Sequence, residues 1–335
     1  MVALTNALER IMNWLREHQP EYAASFLPGL KSDEIQAVEK ELGFKLPAEI
    51  YELYQWRNGT EEDAMALCFP TMQFLPLSTA IGYSQGCSEY IESGKEFVTE
   101  ESKWYESSPL FVFIENSCDF CGIPLIDHQR EKLPVVVLLE ASMPDIFYTS
   151  LTDMMLTLAE CYETGAYYLN KDGYICEDEC KAASVLRKYN ADIGERALLA
   201  FQSLLSQPLD SSNRELLGQV VEATVVISRF KDPRGVDLLL EAAQNWSRAQ
   251  GHCRDGVYSW VLQTLGEMCD VRALQPLTNA LQDDSVFIRE VAQDALSKPV
   301  RLKGVGRKKN SSRVFLVLLI FLVLFVLSIA NWMKH

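Results

Sequence analysis

Histidine is scarce: His18, His128, His252 and His335 are the only four in 335 residues, and they are scattered. No HExxH, GxSxG, phosphate-loop or dinucleotide-loop pattern occurs, so the common hydrolase and dehydrogenase chemistries lack their residues. Basic side chains are also few before residue 298. Residues 1–297 hold all 46 acidic residues against 23 Lys and Arg, a net charge of −23, and residues 298–335 hold the other eight basic residues and no acid. An acidic body without a dense Lys/Arg face excludes nucleic acid as a partner, because phosphate neutralisation supplies most non-specific affinity. The N-terminus lacks the unbroken apolar stretch of a signal peptide. Leu4, Leu8, Ile11 and Leu15 instead mark an amphipathic helix, with Glu9 and Glu17 among them and Pro20 as its stop. The nine cysteines are therefore expected in a reducing compartment as free thiols. What the chain does have, 48% hydrophobic and 23% charged residues, is enough for two folded domains and rules out a disordered or collagen-like chain.

One long apolar run is present. Residues 314–333 read VFLVLLIFLVLFVLSIANWM, 20 residues with no charge and no proline. A helix of that length is about 30 Å long, the thickness of a hydrocarbon core. Only Ser328 and Asn331 interrupt the apolar surface, whereas an amphipathic core helix carries a polar stripe. Val314, Phe315, Leu316, Leu319, Phe321 and Phe325 are the expected lipid-facing anchor, and Trp332 sits where an interfacial aromatic belongs. Arg307, Lys308, Lys309 and Arg313 crowd the other end, so the positive-inside tendency keeps the large N-terminal body cytoplasmic. Only Lys334 and His335 follow Met333, the pattern of a single-pass tail anchor. The span has no Gly and no small-xxx-small pair, so helix dimerisation in the bilayer is not expected.

Several small clusters invite a chemical reading. Cys118 with Cys121 and Cys176 with Cys180 are two thiol pairs that together number the ligands of a zinc site. Their separation is long for a compact zinc ribbon, and Cys118-Asp119-Phe120-Cys121 falls between strand-like runs, so inert buried thiols are favoured. Asp127-His128 could be a base pair but reads better as a polar turn. The acidic CEDEC of residues 176–180 lacks the glycine and terminal glutamate of a calcium loop and reads as solvated surface. No catalytic, cofactor-binding or metal-ligating set is expected.

In chain order, Asp33 to Gln36 could form a capping box before Ile35, Val38 and Leu42, with Gly43 closing that helix. Pro47 is placed for a first helical position ahead of Ile50, Leu53 and Tyr54, and Asn58-Gly59 can adopt the left-handed conformation that ends a helix. Leu110–Ile114, Ile123–Ile126 and Val135–Leu139 are β-branched and aromatic runs that predict strands. Ser150 caps a further helix, with Met154, Leu158 and Cys161 or Tyr162 on its apolar face and Gly165 as its stop. These segments, above all Leu42-Gly43, Leu46-Pro47 and Asn58-Gly59 at their relative spacing, resemble the SUKH superfamily from about Glu34 to Tyr168. That superfamily includes fungal cell-wall-assembly regulators and bacterial immunity proteins. The resemblance implies a non-catalytic α+β domain that binds other proteins. The chain departs from the pattern where Cys118 to Gly122 replaces a usual Gly-Asp step, so fold rather than a site is carried over.

A linker-like stretch around Lys171 to Tyr189 precedes a purely helical pattern. Asp232-Pro233-Arg234-Gly235-Val236 returns 38 residues later as Asp270-Val271-Arg272-Ala273-Leu274, each Asp placed to cap a helix. Residues 265–296 resemble the HEAT-like repeat of phycobilisome lyases, and helix pairs are expected at about 193–230, 233–268 and 271–297. Arg234 and Arg272 are expected to link adjacent helices rather than to meet a ligand.

The expected architecture is an α+β SUKH-like domain at 1–180, an all-α HEAT-like solenoid at 190–297, a basic juxtamembrane linker at 298–313 and one C-terminal transmembrane helix at 314–333. Gly43, Pro47, Asn58, Gly59, Asp232, Arg234, Asp270 and Arg272 are its fold motifs. The expected role is a non-catalytic, membrane-tethered scaffold with protein partners and the lipid bilayer as contacts, and no cofactor. A toxin-neutralising immunity protein is the alternative, because an acidic surface can mask a basic nuclease. A chromophore-lyase-related subunit, resting on fold analogy alone, ranks last.

Overall fold

A computed structural model describes residues 2–42, 45–61, 73–84, 110–116, 119–125, 132–138, 145–207, 214–249, 252–268 and 270–297. Helix α1 (Val2–His18) buries Leu4, Leu8, Ile11 and Leu15 against α4 and α6. Pro20 opens a separate short helix, α2 (Pro20–Ala24). Strand β1 (Phe26–Pro28), α3 (Ser32–Leu42), α4 (Ala48–Trp56) and β2 (Arg57–Thr60) follow. After β3 (Gln73–Phe74), residues 77–84 form α5. Strands β4 (Leu110–Asn116), β5 (Asp119–Pro124), β6 (Val135–Leu138) and β7 (Asp145–Tyr148) join β3 in a five-stranded antiparallel sheet of order β3-β4-β5-β6-β7. Residues 110–114 of β4 are all buried, so both faces at the sheet centre are covered. Helix α6 (Leu151–Glu163) lies against α1, and the hairpin β8 (Tyr167–Leu169) and β9 (Ile175–Glu177) leads to α7 (Glu179–Tyr189).

The solenoid begins directly after α7. Helices α8 (Ala191–Leu204) and α9 (Arg214–Phe230) form one antiparallel pair, and α10 (Pro233–Trp246) and α11 (His252–Met268) a second. A 3-10 turn (Val271–Ala273) with α12 (Leu274–Ala280) and α13 (Val286–Ser297) makes the third. The second helices, α9, α11 and α13, stack side by side, and α7 contacts α9 as a preceding member of that row. Gly266 permits the closest step, because a Cβ there would meet the Ala295 Cβ at 2.8 Å.

Four local expectations are corrected. Asn58-Gly59 does not end α4: the helix stops at Trp56, Arg57 is extended, and residues 57–60 form β2, paired with β1. Gly59 does have a left-handed φ of +80°, but within a strand pressed on the next segment, where a Cβ would sit 2.3 Å from the Pro76 nitrogen. Asn58 accepts a hydrogen bond from the Leu77 N–H (2.9 Å), which fixes that crossing. Pro47 is the residue before α4 rather than its first helical residue, with extended backbone (ψ 144°). The turn opening α3 is displaced by two residues, since Glu34 reaches back to accept from the Lys31 N–H at 2.7 Å. Residues 171–189 are not a linker: Asp178 caps α7, whose Ala182, Ala183, Val185 and Leu186 are buried. Gly43 lies outside the described residues, although α3 does end at Leu42.

Candidate protein-interaction surface

The sheet and the solenoid are welded by a polar cluster at the start of α6. Ser150 accepts from the Asp153 N–H, and Glu49, about a hundred residues earlier in α4, accepts from the Leu151 (3.2 Å) and Thr152 (3.0 Å) N–H groups. These are the orphan donors that every helix start must satisfy. Burial works to raise the Asp153 carboxyl, but bonds from Thr149, Lys132 and Ser150 outweigh it and hold the group below its usual range. Asn190 is fully buried between α7 and α8. Its Oδ1 accepts from the Thr149 N–H (3.0 Å), and its Nδ2 donates to Thr157 Oγ1 (3.1 Å). The side chain at the solenoid's first cap position is thus turned onto the sheet domain. On the same junction Arg229 of α9 pairs with Glu177 of β9 at 2.9 Å, and Arg187 donates to the Phe230 and Lys231 carbonyls at the C-terminus of α9.

Within the solenoid the paired Asp and Arg positions have one local role and one long-range role. Asp232 accepts from the Arg234 N–H (2.9 Å) and Asp270 from the Arg272 N–H (2.8 Å), as N-caps. Each guanidinium folds back on its own Asp and also reaches the preceding repeat, Arg234 to Glu195 (2.7 Å) and Arg272 to Asp237 (2.5 Å). The arginines hold Asp232 and Asp270 below the usual carboxylate range. A second rung is more buried: Arg254 of α11 bonds both carboxylate oxygens of Asp283 in the α12–α13 turn, with each side chain only 11% exposed. Asp283 also accepts from the Ser285 N–H (3.0 Å), so one carboxylate fixes both the turn and the neighbouring helix.

The solenoid presents one face that its own packing leaves partly open. On α11, beside Arg254 and Asp255 at its start, the partly exposed residues are Cys253, Gly256, Trp260, Gln263 and Glu267, which share one helical stripe. On α9 the positions 38 residues earlier are Glu215, Gly218, Glu222, Val225 and Arg229, but there Arg229 meets β9 and Glu222 lies beside Asp145 of β7, so the sheet domain covers this part of the stripe. On α13 it is continued by Phe287, Glu290, Asp294 and Ser297. Because the three helices run parallel, and Gly266 meets Ala295 while Asp255 meets Ser285, Trp260 lies level with about Glu290 on α13 and Glu222 on α9. Glu215, Glu222, Glu267, Glu290 and Asp294 occupy the stripe positions with Trp260, and Arg229 there is bonded to Glu177. Where β7 meets α9, burial and the neighbouring Glu222 push the Asp145 carboxyl up to about 8.

That geometry sits on two recognisable frames. Residues 29–157 match the SMI1/KNR4 family (SUKH-1). Residues 257–283 match the PBS lyase HEAT-like repeat. No curated protein matches the chain. The SUKH match covers α3 to the middle of α6, and the HEAT-like match covers most of α11 with α12, including Asp270 and Arg272. A mixed α/β domain followed by helical repeats is therefore common to the comparisons and the coordinates, and the two matches suggest a protein-interaction or immunity-type role.

Pro47, Asn58 and Gly59 of the SUKH-like domain are brought together with backbone rather than with a ligand-facing surface. Cys121 is buried in β5, Cys176 lies on β9 and Cys180 is exposed in the first turn of α7, while Cys118 and the Asp127-His128 step lie outside the described residues. Among the described residues no group of three or more His, Cys, Asp or Glu is placed to hold a metal. None of the described helices is long and apolar enough to cross a membrane. The apolar run with Val314, Phe315, Leu316, Leu319, Phe321, Phe325 and Trp332, and the basic Arg307, Lys308, Lys309 and Arg313, lie outside the described residues. The sequence reading missed Glu49 and Asn190, whose partners are far away in the chain. It also missed the open stripe, although Gly218 and Gly256 at the same 38-residue offset as the Asp-Arg motif signal it.

Proposed function

We propose that the chain is a non-catalytic scaffold that recruits a protein partner to a membrane, held there by residues 314–333 with its folded body on the cytoplasmic side. The observation that carries the interaction reading is the partly exposed stripe of α11 and α13, where Trp260 shares the face with Gln263, Phe287, Glu290 and Asp294. The polar clusters elsewhere are consumed as caps and inter-repeat bonds, which suits a scaffold. The apolar length of 314–333 and the basic residues before it support the tether. Affinity capture from solubilised membranes with the intact chain tests this reading. Recovery of a reproducible partner that is lost on Trp260→Ala is expected, and recovery no better than from residues 298–335 alone would sink it.

The SUKH match and the acidic body also favour a second reading, an immunity-type protein that masks a basic toxin surface. Protection of cells by the intact chain against a co-expressed basic toxin would support it, and unchanged killing by the toxins encoded nearby would remove it.

A further inference from the structure

The helical stack is closed at one end and open at the other. At its first end α7 precedes α9 in the row, and Asn190 and the Arg229–Glu177 pair join the stack to the sheet domain. At its last end no described element packs beyond α12 and α13. The end repeat of a solenoid needs a polar outer face to stay soluble. Here Val271, Leu274 and Val286 are 75%, 43% and 58% exposed, three of the seven large apolar side chains exposed among the described residues. The outer positions follow one pattern on both helices. From the 3-10 turn to the C-cap of α12 they are Val271, Leu274, Thr278 and Leu281. Along α13 they are Val286, Arg289, Gln293 and Leu296, turned away from Ala295, which meets Gly266 of α11. Each set steps by three, four and three residues, a spacing that is the same in both directions. An antiparallel second copy therefore sets Val271 on Leu281 and Leu274 on Thr278, and Val286 on Leu296 and Arg289 on Gln293, each contact made twice about a two-fold axis. The axis passes level with Pro276 and with Val291, each five residues from the facing ends of the turn at Leu281 and Val286, so one axis serves both helices. Neither set holds an acid, whereas residues 1–297 carry a net charge of −23, so this end is where two such bodies can meet.

We propose that the outer face of α12 and α13 is a homodimer interface, covered by the same face of a second copy about a two-fold axis. It adjoins the Trp260 stripe and does not depend on the partner reading above. Glu290 marks the border between the two, and the axis brings the Glu290 side chains of both copies to one edge of the interface. Eight residues a side, against about 20–30 in a standard stable interface, make the dimer weak and its population dependent on concentration.

Sedimentation equilibrium of the intact chain in density-matched detergent tests the interface. A reversible monomer–dimer equilibrium is expected, with a dissociation constant on the order of 10–100 μM. Val286→Glu sets an unpaired carboxylate against Leu296 twice in each dimer and is expected to weaken it at least about tenfold. Val286 is exposed in the single chain, so this change leaves the fold intact, which circular dichroism checks. Glu290→Gln removes the like charges at the edge and is expected to tighten the dimer about two- to threefold. A monomer throughout the range would overturn the proposal, the end then being covered by the chain's own later residues or by another protein. A dimer indifferent to Val286→Glu would overturn it as well, placing the association at residues 314–333 or on another face. A dimer weakened by Val286→Glu but unchanged by Glu290→Gln would refute the two-fold register.

Discussion

Gly59 and Gly173 share a backbone conformation and differ in surroundings, which allows two costs to be separated. Their φ values are +80° and +81°. A non-glycine residue in that region costs about 1–2 kcal/mol per position, and Gly173→Ala, with nothing within 4 Å of its new Cβ, should cost about that and no more. Gly59→Ala carries the same conformational cost and also places a methyl 2.3 Å from the Pro76 nitrogen and 2.5 Å from the Leu75 carbonyl carbon. Both atoms are backbone, and that backbone is held: Leu75 donates its N–H to Phe113 O (3.0 Å), and its carbonyl accepts from the Tyr54 hydroxyl (3.0 Å). Relief requires β2 and the segment after β3 to separate, with loss of the Asn58 bond to Leu77, so overpacking adds about 2 kcal/mol or more to the conformational term. Urea unfolding followed by circular dichroism gives the two stabilities. Gly59→Ala should be destabilised by about 2 kcal/mol more than Gly173→Ala. Equal losses for the two variants would refute the crossing of β2 over residues 75–76.

Arg254→Ala strands Asp283 in a mostly buried turn and should destabilise the solenoid by about 3 kcal/mol, whereas Arg234→Ala, on an exposed rung, should leave the thermal midpoint nearly unchanged. The comparison is read by differential scanning calorimetry, and equal shifts would contradict the ranking. Asn190→Ala removes buried bonds to Thr149 and Thr157 and should cost about 2 kcal/mol. Faster amide exchange at the Thr149 N–H should accompany it, and unchanged exchange there would count against the weld. Burial and the neighbouring Glu222 raise the Asp145 pKa to about 8, above the unfolded value of about 3.9, so the folded state holds the extra proton between them. Stability should accordingly fall as pH rises from about 4 through about 8, and Asp145→Asn should flatten that slope in urea titrations at several pH values; an unaltered slope would dismiss the assignment. Asp283 has the opposite sign: the bond to Arg254 holds its pKa down, so its contribution is present above the unfolded value and is lost as acid protonates it.

How far the sequence could be read depended on how local the cause was. The helix with Leu4, Leu8, Ile11 and Leu15 on one face, the Ser150 cap and the Asp232 and Asp270 caps are each set by residues within a turn or two, and each forms at that place. Strands β4, β5 and β6 show as apolar runs because they are buried, with ends shifted by a few residues. Asn58-Gly59 supports a left-handed turn at a helix end or a bend inside a strand, and only pairing with β1 and the crossing at residues 75–76 decide between them. Residues 171–189 look like a linker because the apolar positions of α7 are two alanines, a valine and a leucine; Asp178 three residues before Lys181 was the legible signal of a helix start. Glu49 and Asn190 act across long sequence separations, which no local pattern encodes. The stripe follows the same 38-residue offset as the Asp-Arg motif between α9 and α11, but it mixes partly packed apolar residues such as Val225, Trp260 and Phe287 with acids, so no uniform hydrophobic or polar signature marks it.

The central claim, a scaffold that recruits a partner at a membrane, is tested most directly by proximity labelling from the N-terminus in the native cell. The intact chain is compared with a chain ending at Val300. The account predicts that the intact chain labels a small reproducible set of membrane proteins, that the shortened chain loses the set, and that Trp260→Ala weakens it. Labelling of one and the same soluble protein by the intact and the shortened chain would contradict it.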